Sequence, residues 1–136
     1  MEWYLKVIRQ YADFSGRARR KEYWMFRLFD LMIGVGAGVT DYLLDSKMYL
    51  GIYGTVYLLY RLVLFIPSLA VAVRRLHDVG KGGWFLLVVF IPVIGLIWLF
   101  ILFVTEGEQK ENVWGPDPKA SIDLYDMIDQ FGETVE

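Results

Sequence analysis

Three predominantly apolar runs, residues 23–44, 48–73 and 84–104, occupy about half of this 136-residue chain. A run of roughly 20 residues, at ~1.5 Å rise per residue, crosses a bilayer core of ~30 Å, and each of the three reaches that length. Backbone in lipid must satisfy its own hydrogen bonds, so such runs are expected as helices. A hydrophobic content of 56% and a positive mean hydropathy are too apolar for an ordinary soluble domain of this size. The expected fold is therefore all-α: an integral membrane bundle of three transmembrane helices. Residues 1–119 form a single membrane domain and 120–136 an acidic tail. No small-residue cleavage site follows the start, and the first span is expected to act as its own insertion signal.

The connections are short. Asp45-Ser46-Lys47 reads as a tight polar turn, and residues 74–83 as a loop in which Gly80, Gly82 and Gly83 end one helix before the next begins. Pro92 and Gly95 interrupt the third run. Twenty-one residues are too few for two full crossings, so a single kinked span is expected there, with a re-entrant segment as the alternative. Ahead of the first span, residues 3–12 place Trp3, Leu5, Val7, Ile8 and Tyr11 largely on one side of a helix. That helix either lies on the cytoplasmic surface or covers the end of the bundle. In the tail, Ile122, Tyr125, Ile128 and Phe131 recur every third residue, and the face they form, within residues 121–131, suits a protein partner.

Charge is segregated along the chain. Residues 1–22 hold six Lys/Arg against three acids, whereas residues 105–136 hold two against nine. Outside the runs, nine basic residues fall in the N-terminal segment and second loop, and three in the first loop and tail. This bias puts the N-terminus and second loop in the cytoplasm, and three crossings would then leave the C-terminus outside.

Four motifs recur in order. They are Phe14-x-Gly16-Arg17-x-x-Arg20-x-Glu22-Tyr23-Trp24; Arg74-Arg75-Leu76-His77-Asp78-x-Gly80-x-x-Gly83-Trp84; Ile91-Pro92-x-Ile94-Gly95; and Glu106-Gly107 followed by Asn112-x-x-Gly115-x-Asp117-Pro118. Together they resemble the bacterial inner-membrane family called domain of unknown function 805, over residues 3–119. The resemblance implies a small inner-membrane protein of about three spans and no established activity. Trp114 stands where the family commonly has another aromatic, and the extension past Lys119 exceeds that of compact members.

The absence of cysteine excludes disulfides and thiolate chemistry, and a single histidine leaves little for a metal site; no cofactor, metal or nucleic-acid partner is expected. Within the spans, Arg27, Asp30, Gly34, Gly38 and Asp41 share one helix face, and Arg61 lies near mid-membrane, where an unpaired guanidinium costs several kcal/mol. Asp30 is its expected partner, with Asp41 second. That pair either fixes the register of the hairpin or lines a polar pathway. Arg17, Arg19, Arg20, Lys21, Arg74 and Arg75 gather the basic charge, as topology determinants or as a site for an anionic phospholipid headgroup. His77 and Asp78 are expected to cap the second span, with Asp78 pairing to Arg74; an acid/base role is the alternative. The leading expectation is a non-enzymatic binder of anionic lipid or of a protein partner, a second copy of the chain in a homo-oligomer included. A transporter or channel component using Asp30 and Arg61 comes second, and a membrane-embedded lipid-modifying enzyme third.

Overall fold

A computed structural model describes residues 2–44 and 54–120. The described chain is all-helical: α1 Glu2–Arg9, α2 Arg20–Leu43, α3 Thr55–Asp78, a 3-10 helix η1 Gly83–Phe90, and α4 Ile94–Val104. The expected turn 45–47, the start of the second run and the tail helix within 121–131 lie outside the described residues. Among the described helices α3 is long and apolar enough to cross a membrane. The 24-residue α2 equals it in length and carries Arg27, Asp30 and Asp41. The chain divides into two compact units, Met1–Asp13 with Lys21–Val71 and Phe14–Arg20 with Ala72–Glu136.

In the first unit, small and polar residues bring α2 and α3 together. Gly34 offers no side chain, and the rings of Tyr57 and Tyr60 lie over it, 3.6 and 3.7 Å from where a Cβ would stand. Asp41 accepts hydrogen bonds from the backbone N–H groups of Val56 at 2.9 Å and Tyr57 at 2.8 Å. Those donors open α3 and have no partner within the helix, so a carboxylate from α2 caps its neighbour. Asp41 is thereby used at the start of α3, and Asp30 is the acid that reaches Arg61. Gly54 packs directly against Asp41, where a Cβ would overlap the carboxylate.

Helix α1 packs its apolar side on α2. Val7 is fully buried, Tyr4 stacks on Phe26 at 5.4 Å, and the Lys6 ammonium reaches the buried Glu22 carboxylate at 2.5 Å. Just past α1, the Tyr11 hydroxyl donates to the Val63 carbonyl at 2.5 Å. Pro67 explains that bond. It lies inside α3 and has no N–H, so the carbonyl four residues earlier loses its helical donor, and Tyr11 takes its place.

In the second unit the third apolar run is not one continuous helix. It divides at Ile91–Val93 into η1 and α4, and both of its ends return to the last turns of α3. Gly83, opening η1, would bring a Cβ within 2.9 Å of Val73. At the other end Arg75 donates to the carbonyls of Phe103, at 3.3 Å, and Thr105. The reversal is a γ-turn: Val93 has φ 64° and ψ −62°, and the Ile94 N–H reaches the Pro92 carbonyl at 2.7 Å. Gly95 then presses on the Val88 carbonyl, closely enough that a Cβ could not be accommodated. The irregularity expected at Pro92 and Gly95 is a turn that sets the two halves side by side.

Candidate functional site

The C-terminal turn of α3 gathers the residues of three motifs around Asp78. Gly80, at φ 73°, ends the helix in the left-handed conformation that glycine tolerates best. The Lys81 N–H returns to the Leu76 carbonyl at 2.9 Å and the Gly80 N–H to that of His77 at 3.1 Å, the paired bonds of a Schellman cap. The segment carrying Gly16 and Arg17 is tied to the same turn, since the Ala18 N–H donates to the Arg74 carbonyl at 3.0 Å.

Two guanidinium groups share the Asp78 carboxylate. Arg17 Nε donates to Oδ1 at 3.1 Å, and Arg75 Nη1 donates to Oδ2. All three side chains are 5% exposed or less. Buried charge of this kind persists only when paired and hydrogen-bonded. One carboxylate between two cations leaves a surplus positive charge, and backbone carbonyls answer it. Arg17 Nη1 donates to Lys110 O at 2.7 Å, and its Nη2 to Glu108 O. Arg75 takes Phe103 and Thr105, and Arg20 takes Val104 at 3.2 Å. The carbonyls of Phe103 and Val104 are in the last turn of α4, which has no helical donors left for them. Arg75 and Arg20 therefore cap α4, and Asp78 holds Arg75 in place.

The remaining motif residues close the cluster. Glu108 N–H donates to Asp78 O at 2.9 Å; Asn112 Nδ2 donates to His77 O and to Glu108 Oε2, each at 2.9 Å. His77 Nδ1 lies 3.1 Å from Gly16 O, and its ring stacks on Trp114 at 4.7 Å. Lys119 hydrogen-bonds Glu106 and holds its carboxyl below the ordinary value. Gly107 lies so close to Asp78 that a Cβ would overlap the carboxylate. Gly107→Ala is accordingly expected to lower stability by about 1–3 kcal/mol, the usual cost of overpacking, read as a lower unfolding midpoint in mild detergent.

Chemically this is a buried ionic clamp. Both Asp78 oxygens are engaged, which leaves no free base beside His77, and no group of His, Asp and Glu suited to a metal occurs among the described residues. Of the six basic residues expected together, Arg17 and Arg75 are in the clamp, and Arg74, also buried, lends it a backbone carbonyl. Arg20 and Lys21 are exposed and Arg19 is half-buried. Asp78 pairs with Arg75 and Arg17, and the helical step of three residues points Arg75 at it. Glu108, Asn112 and Trp114 belong to the clamp; the motif that begins at Asn112 was visible in the sequence, but its partners were not.

A second polar cluster sits between α2 and α3. Arg61 Nη1 lies 2.9 Å from Asp30 Oδ2, Arg27 Nη1 lies 3.8 Å from the same oxygen, and the Tyr60 hydroxyl is 3.0 Å from Oδ1. The Arg61 guanidinium also lies over the Tyr57 ring at 5.8 Å. Asp30 is buried, whereas the Arg61 side chain is 44% exposed and that of Arg27 35%. Again two cations share one acid.

The family profile described as "Protein of unknown function (DUF805)" matches residues 11–116. The chain is similar to Inner membrane protein YhaI of Escherichia coli strain K12, with 45% identity over 120 residues, covering 88% of this chain and 97% of the relative. It is also similar to Inner membrane protein YhaH of the same strain, with 41% identity over 119 residues, covering 88% and 98%. No solved structure matches it.

Proposed function

The chain belongs to the DUF805 family of small bacterial inner-membrane proteins of unknown function, and from that premise we propose that it is a non-enzymatic binder of acidic phospholipid. The observation that carries this reading is a cation-aromatic surface at the N-terminus. The Lys6 and Lys21 ammonium groups lie 5.7 and 5.9 Å from the Trp3 ring centroid, and Arg9 is exposed one turn further along α1. Tryptophan suits headgroup depth, and basic side chains beside it attract anionic lipid. Lys6 is also held by Glu22, so Arg9 and Lys21, with Arg20 next to Lys21 in the chain, supply the exposed charge. Arg17 and Arg75 are left out of the lipid site because they are buried in the clamp.

Each basic residue near an anionic surface contributes about 1 kcal/mol. Changing Arg9, Arg20 and Lys21 together to Gln is therefore expected to reduce the enrichment of acidic over zwitterionic phospholipid in the purified protein by at least about tenfold. Lipid analysis after extraction in mild detergent measures it, and equal enrichment in the triple variant would sink the reading.

The cluster at Asp30 favours a second reading, a transporter or channel component. Two guanidinium groups about one carboxylate would leave net positive charge at membrane depth, which suits passage of an anion through an assembly of several copies.

A further inference from the structure

We propose that residues 84–104 form a re-entrant hairpin that inserts into one leaflet only, its partner being the acyl chains on the side of the basic second loop. The tail from Thr105 then returns to that same side. This goes beyond lipid headgroup binding and is independent of it: the hairpin contacts chains, and neither of its arms carries a basic residue.

Three observations carry the inference. The first is where the run starts and ends. Gly83 meets Val73, and Phe103 and Thr105 meet Arg75, two residues further along α3. Beyond the run, Glu108 N–H is bonded to the Asp78 carbonyl. A segment that crossed the membrane would leave Thr105 about 30 Å from Gly83 along the bilayer normal, and one turn of α3 could not touch both.

The second is reach. Eight residues of 3-10 helix at ~2.0 Å extend about 16 Å, and eleven of α-helix at ~1.5 Å extend about the same. The arms match each other and the ~15 Å thickness of half a bilayer core. The γ-turn at Val93 and the contact of Gly95 with Val88 O hold them side by side, so their lengths do not add.

The third is surface. Neither arm contains a charged residue, and large apolar side chains point outward along both. Phe90 at the turn is 79% exposed and Trp84 at the mouth 83%. An apolar tip with a tryptophan at its base fits acyl chains below and headgroups above. Insertion of the turn in lipid is made less costly because three of its N–H groups, those of Ile91, Ile94 and Gly95, are bonded within the hairpin and Pro92 has none to satisfy.

The chain contains no cysteine, so single-cysteine variants report position directly. Lys81→Cys marks the second loop, Glu111→Cys the segment after the hairpin, and Phe90→Cys the tip. Each is treated with a membrane-impermeant maleimide in intact spheroplasts and again after permeabilisation. The expected result is that the Lys81 and Glu111 variants label from the same side, with at least tenfold less labelling from the other. The tip should label from neither. Labelling of Glu111→Cys from the side opposite Lys81→Cys, or of the tip from that opposite side, would overturn the hairpin. If either variant fails to accumulate, alkaline phosphatase and fluorescent-protein fusions after residue 120 replace Glu111→Cys: a cytoplasmic fusion point supports the hairpin, and a periplasmic one contradicts it given a cytoplasmic second loop.

Discussion

Asp78→Ala is expected to cost this protein most of its folded population. It removes the carboxylate shared by two buried guanidinium groups, Arg17 and Arg75, and leaves both without a counter-ion. Removing one partner of a buried pair costs about 3–5 kcal/mol, and a second stranded cation adds to that. Against the 5–15 kcal/mol typical of a folded domain, a loss of this size is severe. Arg17→Met and Arg75→Met should each be milder than Asp78→Ala, because either leaves a neutral pair. Asp78→Asn should fall near Asp78→Ala, since an amide lacks the charge and turns a donor toward an arginine. Unfolding midpoints and yields in mild detergent test the order, and arginine variants more damaging than Asp78→Ala would refute it.

Asp30→Ala is expected to be the most damaging change in the other unit. It leaves Arg27 and Arg61 without their shared acid, and an uncompensated arginine near the centre of a span costs about 2.5–3.5 kcal/mol on insertion scales. Arg61→Leu should be tolerated better, since Asp30 keeps Arg27 at 3.8 Å and the Tyr60 hydroxyl at 3.0 Å. The exchange Asp30→Arg with Arg61→Asp separates structure from transport. Recovery of folding yield in the exchanged protein identifies the pair as a fastener of α2 to α3. Normal yield of Asp30→Asn, with loss of anion flux in proteoliposomes, would instead favour the transport reading.

The two clusters differed in how far the sequence disclosed them. Asp30 and Arg61 were legible because each is a charge inside an apolar run, and helical rise alone brings them within side-chain reach. The basic motifs were harder. Arg17 and Arg75 donate chiefly to backbone carbonyls at Phe103, Thr105, Glu108 and Lys110, and every residue carries a carbonyl, so no side-chain pattern marks those acceptors. A run of arginines beside a span reads the same whether it faces phosphate or caps a helix.

The division of the third run into two helices was hard to read for a related reason. Its residues are apolar throughout, so no periodicity distinguishes one long helix from two short ones. Pro92 and Gly95 marked an irregularity. The reversal depends on Val93, a β-branched residue at positive φ, which no propensity scale would place in a γ-turn. In residues 3–12 the apolar side meets α2, where Tyr4 stacks on Phe26 and Val7 is buried.

The motifs shared by this family, on this structure, build a buried lock that joins the ends of α3 and α4. A double-mutant cycle between Arg17 and Asp78 tests that lock most directly, with unfolding free energies measured for Arg17→Met, Asp78→Asn and the double variant in mild detergent. A favourable coupling of at least about 2 kcal/mol is expected for a buried, hydrogen-bonded ion pair. Coupling indistinguishable from zero would mean that Arg17 is not held by Asp78 and would contradict the lock.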